Sequence, residues 1–216
     1  MTLKERMEKF QQTDLYVVIT EKLCKGRSSL YVLEECMKAG VKIVQFREKG
    51  GDDREKYEKA IQFRNITNDY GSLLIIDDRV DLALAVNADG VHLGQKDLPI
   101  YKIRELAPEL IIGASTHNLE QALTAQEQKA SYVNIGPIFP TQTKTDTATP
   151  LGLDTIGKIA PYLKIPFTCM GGIKLDNIDL VLKYGARHIA VVTAVTEAEN
   201  IQYTVKQIRD KILSVH

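Results

Sequence analysis

Short apolar runs alternate with amphipathic segments along the whole chain. Eight of these runs are rich in β-branched residues and have the length of buried parallel strands. They occupy residues 15–20, 41–46, 73–77, 90–93, 110–115, 132–136, 166–170 and 188–193. Such an alternation is typical of βαβ units, and it predicts a parallel sheet with helices between the strands.

The segments between these runs have helical spacing. In residues 29–40, Leu30, Leu33 and Met37 form an apolar stripe that Gly40 terminates. Four more segments follow the same pattern: 54–70, 98–106, 119–128 and 176–184. Eight strand-helix repeats in 216 residues favour a closed (β/α)8 barrel, the TIM barrel, over an open sheet, because that barrel needs roughly 200–250 residues. We predict one such domain over 1–216, with an extra helix in the first dozen residues that closes the barrel floor.

The amino-acid composition limits the classes of binding partner to expect. The chain is 44% hydrophobic, enough for one sizeable core, and 28 Lys and Arg balance 28 Asp and Glu. Without an overall positive field, neither nucleic acid nor an anionic membrane is an expected partner, which leaves small molecules. No apolar run approaches the roughly 18 residues of a membrane span. The sequence leaves the existence of a homo-oligomer open.

Three cysteines, Cys24, Cys36 and Cys169, are odd in number and widely spaced. This spacing argues against a disulfide framework or a zinc site and favours a reducing cytoplasm. Cys169 lies near a candidate ligand site as either a reactive thiol or a small buried hydrophobe, and the second interpretation is favoured.

Polar residues at the carboxyl ends of barrel strands face the active site of this fold. Gln45, Arg47 and Lys49 alternate along the second strand and therefore share one face. An amide, a guanidinium and an ammonium on one face suit a ligand with several anionic oxygens. The alternative is an ordinary salt-bridge network, with or without Glu48.

Carboxylates follow the third and fourth strands. Asp77 and Asp78 end one strand, and Asp97 follows the next. Facing carboxylates repel unless a proton or a cation lies between them, and oxygen ligation together with phosphate is typical of Mg²⁺. The alternative for Asp78 and Asp97 is helix capping. His92 and Asp89 are interpreted as structural.

Two further segments suit phosphate. The long loop 136–152 carries Thr141, Thr143 and Lys144 and is either a lid over a phosphate or a solvated segment. Gly171 and Gly172 follow the seventh strand, and in this fold the loops after strands seven and eight form a phosphate cup.

The motifs together carry a resemblance. Five segments stand in an order and spacing that resembles the thiamine phosphate synthases along essentially the whole chain: QFREK, DDRVDLALAVNADGVHLGQKD, GASTHN, GPIFPTQTKTD and MGGI. The resemblance implies a transferase that joins hydroxymethylpyrimidine diphosphate to hydroxyethylthiazole phosphate and releases pyrophosphate.

The same resemblance implies roles for individual residues. Gln45, Arg47 and Lys49 would hold the pyrimidine diphosphate, Asp78 and Asp97 would bind Mg²⁺, and Ser115 and Lys144 would contact the pyrimidine substrate. Arg47, Lys49, Ser115 and Lys144 would be the catalytic set. The thiazole phosphate would be bound by Thr141, Thr143, Gly172, Val192 and Thr193.

One departure from the family pattern concerns Asp77, where asparagine is usual. Asp77 is therefore an extra metal ligand, a protonated carboxyl, or a substrate contact through one oxygen. Two rival functions share the scaffold: a thiazole tautomerase-like paralogue and a non-catalytic phosphate-binding barrel. The retained diphosphate-binding motifs argue against the tautomerase, since an isomerase has no diphosphate to hold.

Overall fold

The computed structural model describes residues 1–141 and 149–215, and its strands close into a parallel barrel in which each strand pairs with the next and the eighth pairs with the first. The strands are β1 Leu15–Ile19, β2 Ile43–Phe46, β3 Leu73–Asp77, β4 Gly90–Leu93, β5 Ile111–Thr116, β6 Tyr132–Ile135, β7 Phe167–Met170 and β8 His188–Val191. The predicted (β/α)8 barrel is confirmed.

Helices alternate with these strands in the part of the chain that the structure describes. They are α1 Leu3–Gln11, α2 Ser29–Lys38, α3 Asp53–Asp69, α4 Val80–Ala85, α5 Ile100–Leu106, α6 Leu119–Glu127, α7 Asp154–Ile159, α8 Ile178–Leu182, α9 Thr193–Thr196 and α10 Ile201–Leu213. Short 3-10 helices occupy Glu21–Leu23 and Ala160–Tyr162. The expected N-terminal helix is α1.

Polar caps fix where several helices begin. The side chains of Ser28, Asp52, Asn118 and Asn200 each accept a hydrogen bond from the backbone N–H three residues further on. A cap of this kind stabilises a helix by about 1 kcal/mol. At the other end of α2, Gly40 takes a φ of +83°, the left-handed conformation that terminates the helix.

Some predicted boundaries are wrong. The eighth strand ends at Val191 rather than residue 193, because Val192 leaves the extended region (φ −121°, ψ −94°) and Thr193 opens α9. The predicted helix 176–184 shortens to Ile178–Leu182. The apolar pattern continues past these backbone changes, so the pattern alone misplaces the ends.

Alternate strand residues divide between two layers. Val44 and Phe46 point outward, and the Phe46 ring packs edge-on against Phe63 of α3, with ring centroids 4.9 Å apart. The interior contains Tyr16 and Tyr132, among other side chains of the opposite parity. Phe10 of α1 is fully buried there, so α1 does close the barrel floor.

Polar contacts also hold α1 in place. Arg6 Nη1 donates to the carbonyl of Glu109, and Arg6 Nε lies 3.6 Å from Asp89 Oδ1. Asp89 is buried and also binds Arg64 Nη1 at 2.7 Å and the backbone N–H of Leu74 at 2.9 Å. Asp89 thus supports the floor, as its structural interpretation predicts.

All three cysteines are free and buried. Burial raises the pKa of the Cys169 thiol, so that this side chain is a neutral packing group rather than a thiolate. Among the described residues, we find no helix with both the length and the apolar character to cross a bilayer. The cytoplasmic location stays a prediction.

Candidate active site

A cavity of about 610 Å³ opens at the carboxyl ends of the strands. Its lining brings together residues that are far apart in the sequence. From the predicted set it contains Gln45, Arg47, Asp77, Ser115, Thr141, Gly172, Val192 and Thr193. The cavity therefore lies where this fold places its active sites.

Arg47 and Lys49 form ion pairs with the carboxylates of the next strand. Asp77 Oδ2 lies 3.3 Å from Arg47 Nε and 2.8 Å from Lys49 Nζ, and Lys49 Nζ also contacts Asp78 Oδ2. Glu48 is not part of this network: its carboxylate accepts from the backbone N–H of Glu21 at 2.7 Å. An ordinary salt-bridge network is thus present around Arg47 and Lys49, and the Glu48 carboxylate instead contacts Glu21 and Thr20.

Lys49 and Arg47 give the site its cationic character. Partial burial alone would lower the pKa of Lys49, but Asp77 and Asp78 outweigh it and raise that pKa above its usual value. Arg47 Nη1 is buried and has no hydrogen-bond partner among the residues that the structure describes. A buried, unpartnered guanidinium N–H is costly unless a ligand or water accepts from it.

Asp77 ends β3 next to this pair of cations. Burial raises its pKa most strongly, the neighbouring Asp78 raises it further, and Lys49 and Arg47 lower it, with a net shift upward. The ion pairs therefore offset only part of the desolvation of this carboxylate.

Helix capping does not explain the other two aspartates. Arg79 precedes α4 and Pro99 precedes α5, and neither helix has a side-chain cap. Asp97 Oδ2 instead accepts from the backbone N–H of Gly94 at 2.6 Å. Asp78 has a φ of +57°, and its N–H donates to the carbonyl of His92 at 2.8 Å. The capping alternative is wrong.

Asp78 and Asp97 interact with each other. Burial raises the pKa of Asp97, the N–H of Gly94 lowers it, and the Asp78 carboxyl raises it, so the net direction is upward. A cation between the two carboxyls would relieve this repulsion. Within the described ranges, no group of three or more His, Cys, Asp or Glu side chains could hold a metal ion.

Ser115 lies on β5 at the cavity wall and is buried. Its Oγ is 3.0 Å from His92 Nε2, and its carbonyl accepts from Gln95 Nε2 at 2.6 Å. His92 is structural in the sense that it is buried and hydrogen-bonded, as predicted, but it also lines the cavity.

Sequence reasoning missed several other polar cavity residues, among them His117 and Asn134. His117 Nδ1 lies 2.6 Å from the carbonyl oxygen of Gly136, and Asn134 Oδ1 accepts from Thr168 Oγ1 at 2.7 Å. Both follow the alternation of their strands, since Asn134 shares a face with Tyr132, and His117 shares one with Ser115. That period is the signal that points to them.

Two glycines shape the opposite end of the cavity. Gly171 and Gly172 have φ values of +102° and +63°. A Cβ on Gly171 would collide with Pro137, and one on Gly172 would lie 2.5 Å from the carbonyl oxygen of Pro140. Only glycine allows both this conformation and this close approach.

Val192 and Thr193 join Gly172 in the cavity wall, where β8 gives way to α9. Thr141 also lines the cavity. Thr143 and Lys144 lie outside the described residues, so their predicted roles stay predictions.

The fold and the cavity define the class of this protein as a (β/α)8 barrel enzyme with a charged pocket at the carboxyl ends of its strands. The family described as thiamine monophosphate synthase matches residues 15–195, and the chain belongs to this family. Family membership confirms the predicted transferase of thiamine biosynthesis and its function as a thiamine phosphate synthase.

Comparisons with individual relatives agree with this family assignment. The chain is 40% identical to the thiamine-phosphate synthase of Caldicellulosiruptor saccharolyticus over 98% of this chain and 96% of that protein. It is 44% identical to the same enzyme of Chloroflexus aurantiacus, over 90% of each. The solved thiamine phosphate pyrophosphorylase of Pyrococcus furiosus superposes with a TM-score of 0.88 at 39% identity, covering 97% of this chain and 98% of that one.

Proposed function

We propose that the protein condenses 4-amino-2-methyl-5-hydroxymethylpyrimidine diphosphate with hydroxyethylthiazole phosphate by a Mg²⁺-assisted dissociative reaction. The observation that supports this most directly is the cationic pair Arg47 and Lys49 set against Asp77, Asp78 and Asp97, all of which follow or end strands β2, β3 and β4. This arrangement suits a diphosphate and a divalent cation together.

The diphosphate would be held from the β2 side. Arg47 Nη1 is the buried donor that lacks a partner among described residues, and a phosphate oxygen is a suitable acceptor for it. Lys49 is positively charged and partly exposed, so it can turn from the aspartates to an incoming anion.

The carboxylates fit a magnesium ion. Asp78 and Asp97 supply two interacting carboxyls, and Mg²⁺ is commonly bound by one or two carboxylates together with substrate phosphates and water. When bound, Mg²⁺ neutralises charge on the departing diphosphate. Asp78 and Asp97 would hold it there.

The reaction needs no protein nucleophile. The C–O bond to the diphosphate breaks, and the diphosphate leaves with the electron pair. The amino group of the pyrimidine stabilises the resulting benzylic-type cation, and the thiazole nitrogen then forms the new C–N bond. The contribution of the protein is positioning and charge stabilisation by Arg47, Lys49, Ser115 and Lys144.

The thiazole phosphate would occupy the other half of the cavity, near Gly172, Val192, Thr193 and Thr141, which line it. The bare backbone at Gly172 permits a close approach of the phosphate. Thr143 belongs to the same proposal through the family resemblance.

The direct test is to incubate the protein with both substrates and Mg²⁺ and to measure thiamine phosphate and pyrophosphate, with EDTA as the control. We expect both products in equal amounts and their loss with EDTA. Binding of both substrates without product would favour a phosphate sensor, whereas isomerised thiazole without pyrophosphate would favour a tautomerase. A structure with pyrophosphate and Mg²⁺ that showed no metal between Asp78, Asp97 and the diphosphate would contradict the metal site.

Asp77→Asn is expected to be tolerated, with turnover within a few-fold of the original. The amide is isosteric and removes a carboxylate whose burial is costly and whose ion pairs compensate only in part. Steady-state kinetics over a Mg²⁺ titration checks this. If the variant loses Mg²⁺ dependence or activity, Asp77 is a metal ligand and the two-aspartate site must be redrawn.

A further inference from the structure

A continuous chain of hydrogen bonds crosses the barrel interior beneath the cavity. Gln45 Nε2 lies 3.1 Å from Tyr16 Oη, which lies 3.1 Å from Tyr132 Oη. Tyr132 Oη is 2.8 Å from His92 Nδ1, and His92 Nε2 is 3.0 Å from Ser115 Oγ. All five side chains are buried, and the two ends of the chain, Gln45 and Ser115, line the cavity.

One orientation of the donors satisfies every contact in this chain. In it, the Gln45 Nε2 group donates to Tyr16, and Tyr16 donates its own proton to Tyr132. Tyr132 then donates to His92 Nδ1, which must be unprotonated, and the neutral imidazole carries its proton on Nε2. His92 therefore donates to Ser115 Oγ, and the Ser115 hydroxyl directs its proton to a further acceptor.

Both phenols remain donors in this environment. Burial and the Tyr132 contact raise the pKa of Tyr16, although Gln45 lowers it, and burial raises that of Tyr132. Neither loses its proton near neutral pH, so each can pass one hydrogen bond onward.

The residues around the hydrogen bond between Tyr132 and His92 leave room for it and support it. A Cβ on Gly113 would collide with Tyr132 Oη and would lie 2.5 Å from His92 Nδ1. From below, the Phe10 ring stacks on Tyr132 with ring centroids 4.8 Å apart. The Tyr132 hydroxyl can therefore reach His92 only because β5 carries a glycine at this point.

We propose that Tyr132 and His92 are positioning residues that present the Ser115 hydroxyl to the cavity as a hydrogen-bond donor, for an acceptor nitrogen of the pyrimidine ring. The identity of this acceptor rests on the proposed function. The chain also joins Gln45 to Ser115, two residues of the proposed pyrimidine diphosphate site, so recognition at Ser115 depends on side chains behind its hydroxyl, among them Tyr132, which is not part of the cavity wall.

The first test is spectroscopic and needs no substrate. In protein with ¹⁵N-labelled histidine, the ring signals of His92, assigned by their loss in His92→Leu, are expected to show a protonated Nε2 and a bare Nδ1. Tyr132→Phe removes the donor to Nδ1 and is expected to shift this tautomer balance. A protonated Nδ1 in the original protein, or an unchanged tautomer in the variant, would overturn the proposal.

The second test is kinetic. Tyr132→Phe is expected to raise KM for the pyrimidine diphosphate about tenfold, the size of one lost hydrogen bond, with kcat within about twofold. KM for the thiazole phosphate should not change. If Tyr132 acts through Ser115, then Tyr132→Phe has less than about a twofold effect in a Ser115→Ala background.

Controls separate positioning from general damage. Ser72→Ala deletes another buried hydroxyl, which bonds the carbonyl of Val41 near the start of β3, and it should leave KM unchanged. His92→Gln keeps an amide donor toward Ser115 and should retain more affinity than His92→Leu. Multiplicative effects of Tyr132→Phe and Ser115→Ala contradict the proposal. Absent thiamine phosphate formation in the original protein would contradict the proposed function instead, while the tautomer measurement would still decide the hydrogen-bond chain.

Discussion

Asp78→Asn should lower kcat about 10²–10³-fold, the usual loss when one preorganised electrostatic group is removed. The amide keeps the size of the side chain and tolerates the left-handed backbone at φ +57°. It removes the negative charge that would hold Mg²⁺ with Asp97. Steady-state turnover at saturating substrates, measured across a Mg²⁺ titration, checks this result. Asp78→Ala and Lys144→Ala are expected to cause losses of the same size.

A matched control is Asp81→Asn. Asp81 is an exposed carboxylate that pairs with Arg79 near the same strand end, and its loss should leave turnover unchanged. Near-original turnover in Asp78→Asn, Asp78→Ala and Lys144→Ala would be incompatible with the proposed mechanism. A loss in Asp78→Ala but not in Asp78→Asn would assign the effect to the backbone conformation rather than to charge.

Phe10→Ala should destabilise the fold by about 3–5 kcal/mol, the usual cost of truncating a buried aromatic side chain. Phe10 is fully buried and contacts the rings of Tyr132 and His188 at centroid distances of 4.8 and 5.0 Å. For a chain of this size the melting temperature should fall by about 2–4 °C per kcal/mol. Urea unfolding monitored by circular dichroism gives the free energy.

Leu213→Ala is the control for this truncation. Leu213 ends α10 and is 57% exposed, so its loss should change stability by less than about 0.5 kcal/mol. Should Phe10→Ala prove equally mild, α1 would not be a fixed part of the barrel floor. Phe10→Leu, which keeps most of the apolar volume, should give an intermediate value.

The strands could be predicted because the apolar pattern that defines each of them lies within a few consecutive residues. The run at 73–77 is long enough and apolar enough to span a barrel strand, and its predicted bounds are those of β3. The face shared by Gln45 and Arg47 follows from the period of two alone, and both line the cavity. Local pattern and global fold agree at these positions.

The contacts between side chains at the site could not be predicted in this way. The sequence leaves open whether Glu48 joins the ion pairs of Arg47 and Lys49, since the choice of partner depends on where the next strand ends in space. His92 reaches Tyr132 and Ser115, which lie 40 and 23 residues away in the sequence, and spacing carries no information on such contacts. The interpretation of Asp78 as a helix cap is wrong for a similar reason, because no sequence feature indicates its left-handed backbone.

The position of α1 has a consequence for synthesis of the chain. Phe10 leaves the ribosome before any strand does, yet the Tyr132 ring on which it stacks follows more than a hundred residues later. Until β6 emerges, the barrel floor that α1 closes is incomplete, and the apolar face of α1, which includes Leu3 and Met7, lacks the Tyr132 ring. The nascent protein therefore carries an incompletely packed amphipathic helix until that point, and we expect chaperones that bind exposed apolar segments to engage α1 during this interval.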